Sequence, residues 1–207
     1  MSEADELLVE RLPRARRVLR VAIVTESYPP DVADLSLAAA RLVEGLRGRE
    51  HEIQLVRHPG LRLALPSARP LVRLWSVSRP DVVYVLTQGP LGWSALRAAR
   101  KLRLPAVAHF NRDFLGHCRA VRVGWLSRRV VSYLRKFHNR ALWTLVPSEA
   151  LRVELAALGF RNLRVVGGGA DAEWWDLRRI ETLLEIAASL GSVHPGEAGG
   201  RPVPEGT

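Results

Sequence analysis

A chain of 207 residues with 47% hydrophobic content can fill one sizeable α/β core but not two domains of ordinary size. Its 31 basic against 21 acidic residues leave a formal charge of +10, nearly all of it from arginine, which favours an anionic partner: a phospholipid surface, a nucleotide sugar or a nucleic acid. No apolar run reaches the roughly 18 residues needed to cross a bilayer, and the single Cys118 excludes an internal disulfide and a cysteine zinc site, so a cytoplasmic location without a metal cofactor is expected.

Residues 1–17 are polar and charged and read as a flexible leader. From Val18, short apolar runs alternate with longer amphipathic ones, the pattern of a doubly wound parallel sheet in the α/β class. The first strand is predicted over Leu19–Thr25, a helix over Leu35–Gly48 and a second strand over Glu52–Val56. Helix Arg69–Ser78, strand Val82–Leu86, helix Leu91–Leu102 and strand Ala106–Phe110 follow. Then come helix Val123–Arg140, strand Trp143–Val146, helix Ser148–Leu158 and strand Leu163–Val166. Ser148 as N-cap, Glu149 in the first turn and Gly159 just past the end punctuate the fifth helix. Residues 18–175 thus form one domain. A last helix is expected over 176–190, with Leu177, Ile180, Leu184 and Ala187 or Ala188 on one face, and the Gly- and Pro-rich 191–207 reads as a disordered tail.

Ligands of such sheets gather at the carboxyl ends of the strands. The loop after the first strand, Thr25-Glu26-Ser27-Tyr28-Pro29-Pro30-Asp31-Val32-Ala33-Asp34, contains no glycine, which argues against both a dinucleotide-binding turn and a P-loop.

The string RVAIVTESYPPDV, followed by LAAARLVEGLRGREHEIQLV, resembles the opening of family 4 glycosyltransferases, where a strand, a Y-P-P turn and a helix precede a G-H-E-V-type strand. The likeness continues through RPDVVYVLTQGPLGWSALRAARKLRLPAV and FHNRALWTLVPSEALRVELAALGF to NLRVVGGGAD, in order from Arg20 to Asp171. It is most similar to the branch that moves mannose or a related hexose to lipid or glycan acceptors. The resemblance implies the GT-B architecture, two Rossmann-like domains facing across a cleft, of which this is the N-terminal, acceptor-side one. The donor side's basic pair and spaced glutamates have no counterpart after Asp171. The chain alone is therefore expected to transfer no sugar, with the donor half on a separate chain or lost.

The resemblance also places Glu26, Ala33, Asp34, Gln88, Gly89, His109 and Asn111 along the cleft. Two of these depart from the family pattern. Ala33-Asp34 stands where Asn-Gly or Gly-Gly is usual, putting a carboxylate where a diphosphate should lie. Asn111 stands at the His of a G-F-H-T-N-F-like string; it can hydrogen-bond a sugar hydroxyl but cannot exchange a proton near neutral pH. His109, two residues earlier, either substitutes for that histidine or packs beneath a helix. Glu26 and Asp31 either meet acceptor hydroxyls or serve the turn itself. Gln88-Gly89 belongs to a T-Q-G-P string like the family's T-E-G-P loop, with a plain helix-starting turn as the other reading. Gly167-Gly168-Gly169 reads as the crossing into a second domain rather than a phosphate cradle, and no residue is singled out as catalytic.

Arg112–Arg140 is the most basic segment and interleaves aromatic and aliphatic residues, so Arg128, Arg129, Arg135 and Lys136 are candidates for contact with an anionic membrane. An ordinary packing helix with a solvated basic face is the alternative. No nucleic-acid-binding motif is evident. Membrane contact would make the protein peripheral at the inner face of the membrane, and a membrane-surface-binding pseudoenzyme is the alternative to a transferase half.

Overall fold

The strands at 21–24, 82–85, 106–109 and 143–146 are buried on both faces, so they can pair only where helices cover both sides of a sheet, whereas Glu52–Val56 and Leu163–Val165, at its edges, are partly exposed. In the computed structural model, residues 17–26, 34–57, 67–110, 124–167 and 176–192 are described. Six strands form one parallel sheet: β1 (Arg20–Val24), β2 (Glu52–Val56), β3 (Val82–Val85), β4 (Ala106–His109), β5 (Trp143–Val146) and β6 (Leu163–Val165). Their order is β2-β1-β3-β4-β5-β6, in register from Val21 opposite Val82 to Val146 opposite Val165. The helices between them are α1 (Asp34–Arg47), α2 (Arg69–Val77), α3 (Pro90–Lys101), α4 (Gly124–His138) and α5 (Glu149–Ala157), with α6 (Leu177–Ser192) following β6. Every predicted strand and helix is present within two residues at almost every end. Ser148 Oγ accepts from the Leu151 amide at 3.3 Å, the expected cap of α5.

Crossover handedness explains the layering. The chain moves one way from β1 to β2 and the opposite way in every later connection, so right-handed crossovers leave α1 alone on one face and put α2 to α5 on the other. Val21, Ile23, Tyr84, Val107 and Leu145 point to the α1 face, too wide for one helix. α6 covers the remainder through Ile180, Leu184, Ala187 and Ala188. On the opposite face Ala22, Val24, Val83, Val85 and Ala108 pack against Leu71 and Trp75 of α2, Ala95 and Ala99 of α3 and Phe137 of α4.

Polar contacts fix α6 in place. Asp176 Oδ1 accepts the Arg178 and Arg179 amides at 3.0 and 3.2 Å, capping its first turn. Glu181 is buried against His51 Nε2 (3.0 Å) and Arg49 Nε (3.1 Å). Leu177 lies on Gly45, where a Cβ would come within 2.3 Å of its Cδ2. Gly167, the first of the three glycines read as a crossing into a second domain, is closely packed. A Cβ there would stand 1.7 Å from the Pro147 carbonyl oxygen, Arg179 Nη1 donates to the Gly167 carbonyl at 3.2 Å, and the next described element, α6, returns to the same sheet. Gly168 and Gly169 lie outside the described residues.

Candidate functional site at the carboxyl ends of the strands

The chain leaves β1 toward one face of the sheet and β3 toward the other, so a crevice opens between the carboxyl ends of these two paired strands. Glu26 follows β1, and Thr87, Gln88 and Gly89 follow β3. The structure ties them together. Thr87 Oγ1 donates to Glu26 Oε2 and the Leu91 amide donates to Glu26 Oε1, both at 2.9 Å. α3 has no capping side chain of its own, since its N-cap is Gly89. The Glu26 carboxylate supplies the missing acceptor across the crevice, where the helix dipole favours negative charge. Gly89 is required for this seat: a Cβ there would lie 2.3 Å from Glu26 Oε2 and 2.6 Å from Oε1. Glu26 is exposed, and each oxygen keeps a second lone pair for a ligand hydroxyl.

Behind this rim the side chain of Gln88 is buried in a neutral network. Its Nε2 lies 3.4 Å from the His109 carbonyl oxygen and 3.3 Å from His138 Nε2. His138 Nδ1 is 3.2 Å from Thr144 Oγ1, whose hydroxyl is oriented to the His138 carbonyl at 3.5 Å. One assignment satisfies all four contacts: the Gln88 amide donates twice, and His138 is a neutral imidazole with its proton on Nδ1. Burial, reinforced by repulsion from His109, lowers the His138 pKa to about 3, which agrees with that tautomer. Tyr133 donates its hydroxyl to the Gln88 carbonyl at 2.6 Å, and burial raises its pKa. Two walls therefore hold the Thr87–Gly89 loop, Glu26 from β1 and Tyr133 with His138 from α4.

His109 is only 4% exposed, at the end of β4, with Nδ1 3.2 Å from the Tyr84 hydroxyl. Burial lowers its pKa to about 4 and raises that of Tyr84. Glu26, Gln88 and Gly89 are thus brought together, while His109 lies beneath them as a neutral support. Ala33 and Asn111 are outside the described residues, as are Asp31 and Cys118, and Asp34 enters the description only as the first residue of α1. Arg128, Arg129, Arg135 and Lys136 are exposed on α4, with Arg135 donating to the Leu158 carbonyl at 3.2 Å.

Sequence reasoning gave Thr87 only as part of its T-Q-G-P string and missed the parts of Tyr133, His138 and Thr144. One signal was available for His138, a polar residue inside the apolar stripe that Val130, Leu134 and Phe137 define along α4. Ser36, near the start of α1, was also missed; its hydroxyl is buried and has no partner among the described residues. Among the described residues, His51, Glu181 and Glu185 come close enough to suggest a metal site. The Leu19 amide donates to His51 Nδ1 at 3.2 Å, which leaves the proton of a neutral ring on Nε2, facing Glu181. With Arg49 on the same carboxylate, the group is a clasp for α6 and does not suit a metal.

A six-stranded parallel α/β sheet with a crevice at its switch point is a Rossmann-like unit. The profile of Glycosyltransferase Family 4 matches residues 7–174, and the chain belongs to that family. It is 32% identical to a GDP-mannose-dependent alpha-mannosyltransferase of Mycolicibacterium smegmatis, over 74% of this chain and 48% of that protein. It is 28% identical to the enzyme of the same description from Corynebacterium glutamicum, over 76% of this chain and 45% of that protein. The sulfoquinovosyl transferase SQD2 of Arabidopsis thaliana is 28% identical over 58% of this chain and 26% of its own length. The chain spans about half the length of the mannosyltransferases it matches.

Proposed function

We propose that this chain forms the acceptor-side wall for transfer of a hexose, mannose or a close relative, from a nucleotide sugar to a lipid or glycan acceptor. A second Rossmann-like unit supplies the donor wall, and the 207 residues alone turn over no donor. The observation that carries this reading is the Glu26 bridge across the switch-point crevice in a chain of this family. Glu26 accepts hydrogen bonds from acceptor hydroxyls, and Gln88, Tyr133 and His138 hold the loop against which the acceptor rests. With His109 and His138 neutral, these residues orient and exclude water, and stabilisation of the leaving diphosphate falls to the opposite wall.

The test is release of nucleoside diphosphate from GDP- and UDP-hexoses in the presence of membrane lipid extract. The chain alone should match a heat-killed control. Turnover by the chain alone would contradict the division of labour.

A second reading, a membrane-surface module acting at the cytoplasmic face with or without transfer, is favoured by the charge distribution. Residues 57–148 hold 17 of the 31 arginines and lysines and only two acids, Asp81 and Asp113. On the described residues of α4 the exposed Arg128, Arg129, Arg135 and Lys136 belong to this excess.

A further inference from the structure

Strands β1, β3 and β4 are neighbours in the sheet, and each is entered past an arginine: Arg20 opens β1, Arg79 shortly precedes β3 and Arg103 shortly precedes β4. All three line one cleft of about 480 Å³ at the amino ends of these strands, the opposite end of the sheet from Glu26. Leu104, Pro105 and Ala188 of α6 give the cleft an apolar wall. Its carboxylates are already engaged. Asp81 Oδ2 accepts the Arg20 amide at 2.8 Å, Asp81 Oδ1 faces Arg17 Nη2 at 3.9 Å, and Glu52 Oε2 meets Arg20 Nε at 2.8 Å. The guanidinium groups keep most of their capacity, since each carries five N–H donors. Arg20 spends one on Glu52, Arg79 spends one on the Leu102 carbonyl at 2.9 Å, and Arg103 has no side-chain partner among the described residues.

The fold alone does not call for Arg103. The α3 dipole already has Arg100 and Lys101 in its last turn. Arg103 has a φ of 54°, the left-handed region that glycine enters at no steric cost and a residue with a Cβ does not. We propose that this cleft binds a small organic phosphate, with the phosphoryl oxygens on Arg79, Arg103 and Arg20 Nη and an apolar ring or chain on Leu104, Pro105 and Ala188. A carboxylate would bring two oxygens to three guanidinium groups, whereas a phosphomonoester brings three oxygens and close to a second charge. Planar guanidinium forks match such oxygens in pairs, and a cleft of this size takes a phosphate together with a small apolar group. The inference goes beyond the transferase reading and holds whether or not sugar is transferred.

Titration of the full chain with phenyl phosphate, followed by amide resonances, tests it. The probe should bind saturably and shift the Leu104 and Gly191 amides while those of Gly89 and Leu91 stay in place. Inorganic phosphate should bind about tenfold more weakly because it lacks the apolar group. Arg79→Gln should weaken phenyl phosphate about tenfold. Arg103→Gly should weaken it about as much with a thermal midpoint equal to or above that of wild type, because the left-handed backbone is relieved. Arg69→Gln with Arg73→Gln removes charge from α2, outside the cleft, and should bind like wild type. Five results would each overturn the proposal: no saturable binding, equal affinity for inorganic phosphate, shifts centred on Gly89 and Leu91, binding retained by Arg79→Gln, or a lowered midpoint in Arg103→Gly. Equal loss in the α2 variant would do the same, by showing attraction to net charge alone. Nucleoside diphosphate release reads the transferase proposal separately.

Discussion

The two ends of the sheet tie down polar groups by different means. At the amino ends carboxylates take the contacts: the exposed Glu52 meets Arg20 at 2.8 Å, and the buried Glu181 meets Arg49 and His51 Nε2. These contacts staple edges and helices to the sheet. At the carboxyl ends, Gln88, His109, His138, Thr144 and Tyr84 are paired through neutral hydrogen bonds, and the Glu26 carboxylate is held at a helix terminus by two donors. A neutral hydrogen-bonded network fixes the loop without adding a charge beside Glu26. The amino-end contacts attach α6, and the carboxyl-end contacts shape the crevice.

The largest expected difference between them appears on acidification. The pKa values of His109 and His138 are lowered from an unfolded value near 6.5 to about 4 and about 3, so below the unfolded value the unfolded chain binds protons that the folded one does not. Their contribution is complete above about pH 6.5 and is lost as pH falls toward those values, at about 2 kcal/mol each by pH 5. Urea denaturation from pH 7 to pH 5 should show the fall, and His138→Gln should roughly halve its slope. Equal slopes in both proteins would mean that the carboxyl-end histidines are not buried as neutral rings.

At the amino end, Glu181→Ala should cost about 3 kcal/mol, since it strands a buried imidazole N–H and removes the partner of Arg49. Hydrogen exchange should then rise first in α6. Uniform loss of protection across the sheet would show that α6 is not a separately anchored element. Gly89→Ala should cost only about 1 kcal/mol, the value of a helix cap, because the obstructing atoms are the end of the Glu26 side chain, which can swing aside. Its signature is local, a shift of the Leu91 amide resonance as it loses its acceptor. An unmoved Leu91 signal would refute the clamp. Glu26→Gln, which keeps one acceptor for the Leu91 amide, removes the charge from the α3 dipole and turns the group facing Thr87 Oγ1 into a donor that this hydroxyl can accept by rotating, should cost about 0.5–1 kcal/mol.

The elements were legible because each strand is short, apolar and bounded by a turn, and helix ends such as Ser148 and Gly159 are marked chemically. The predicted Asp176–Leu190 helix was visible by its period, but nothing local says that it covers the face left bare by crossover handedness. Glu26, Gln88 and Gly89 were named together because the family resemblance places their loops along one cleft, at the strand carboxyl ends where ligands of parallel sheets gather. Their partners were not. Gln88 meets His138 across 50 residues and Glu26 meets Leu91 across 65, and such pairings are set by tertiary packing, which no local periodicity encodes.

The most direct measurement combines this chain with the separately expressed donor-side half of the Mycolicibacterium smegmatis relative and follows nucleoside diphosphate release from GDP-mannose with membrane lipid extract. The account predicts no release from either half alone, release from the two together, and loss of most of that release with Glu26→Ala at unchanged folding. Release that is indifferent to Glu26→Ala, or no release from the paired halves, would contradict it.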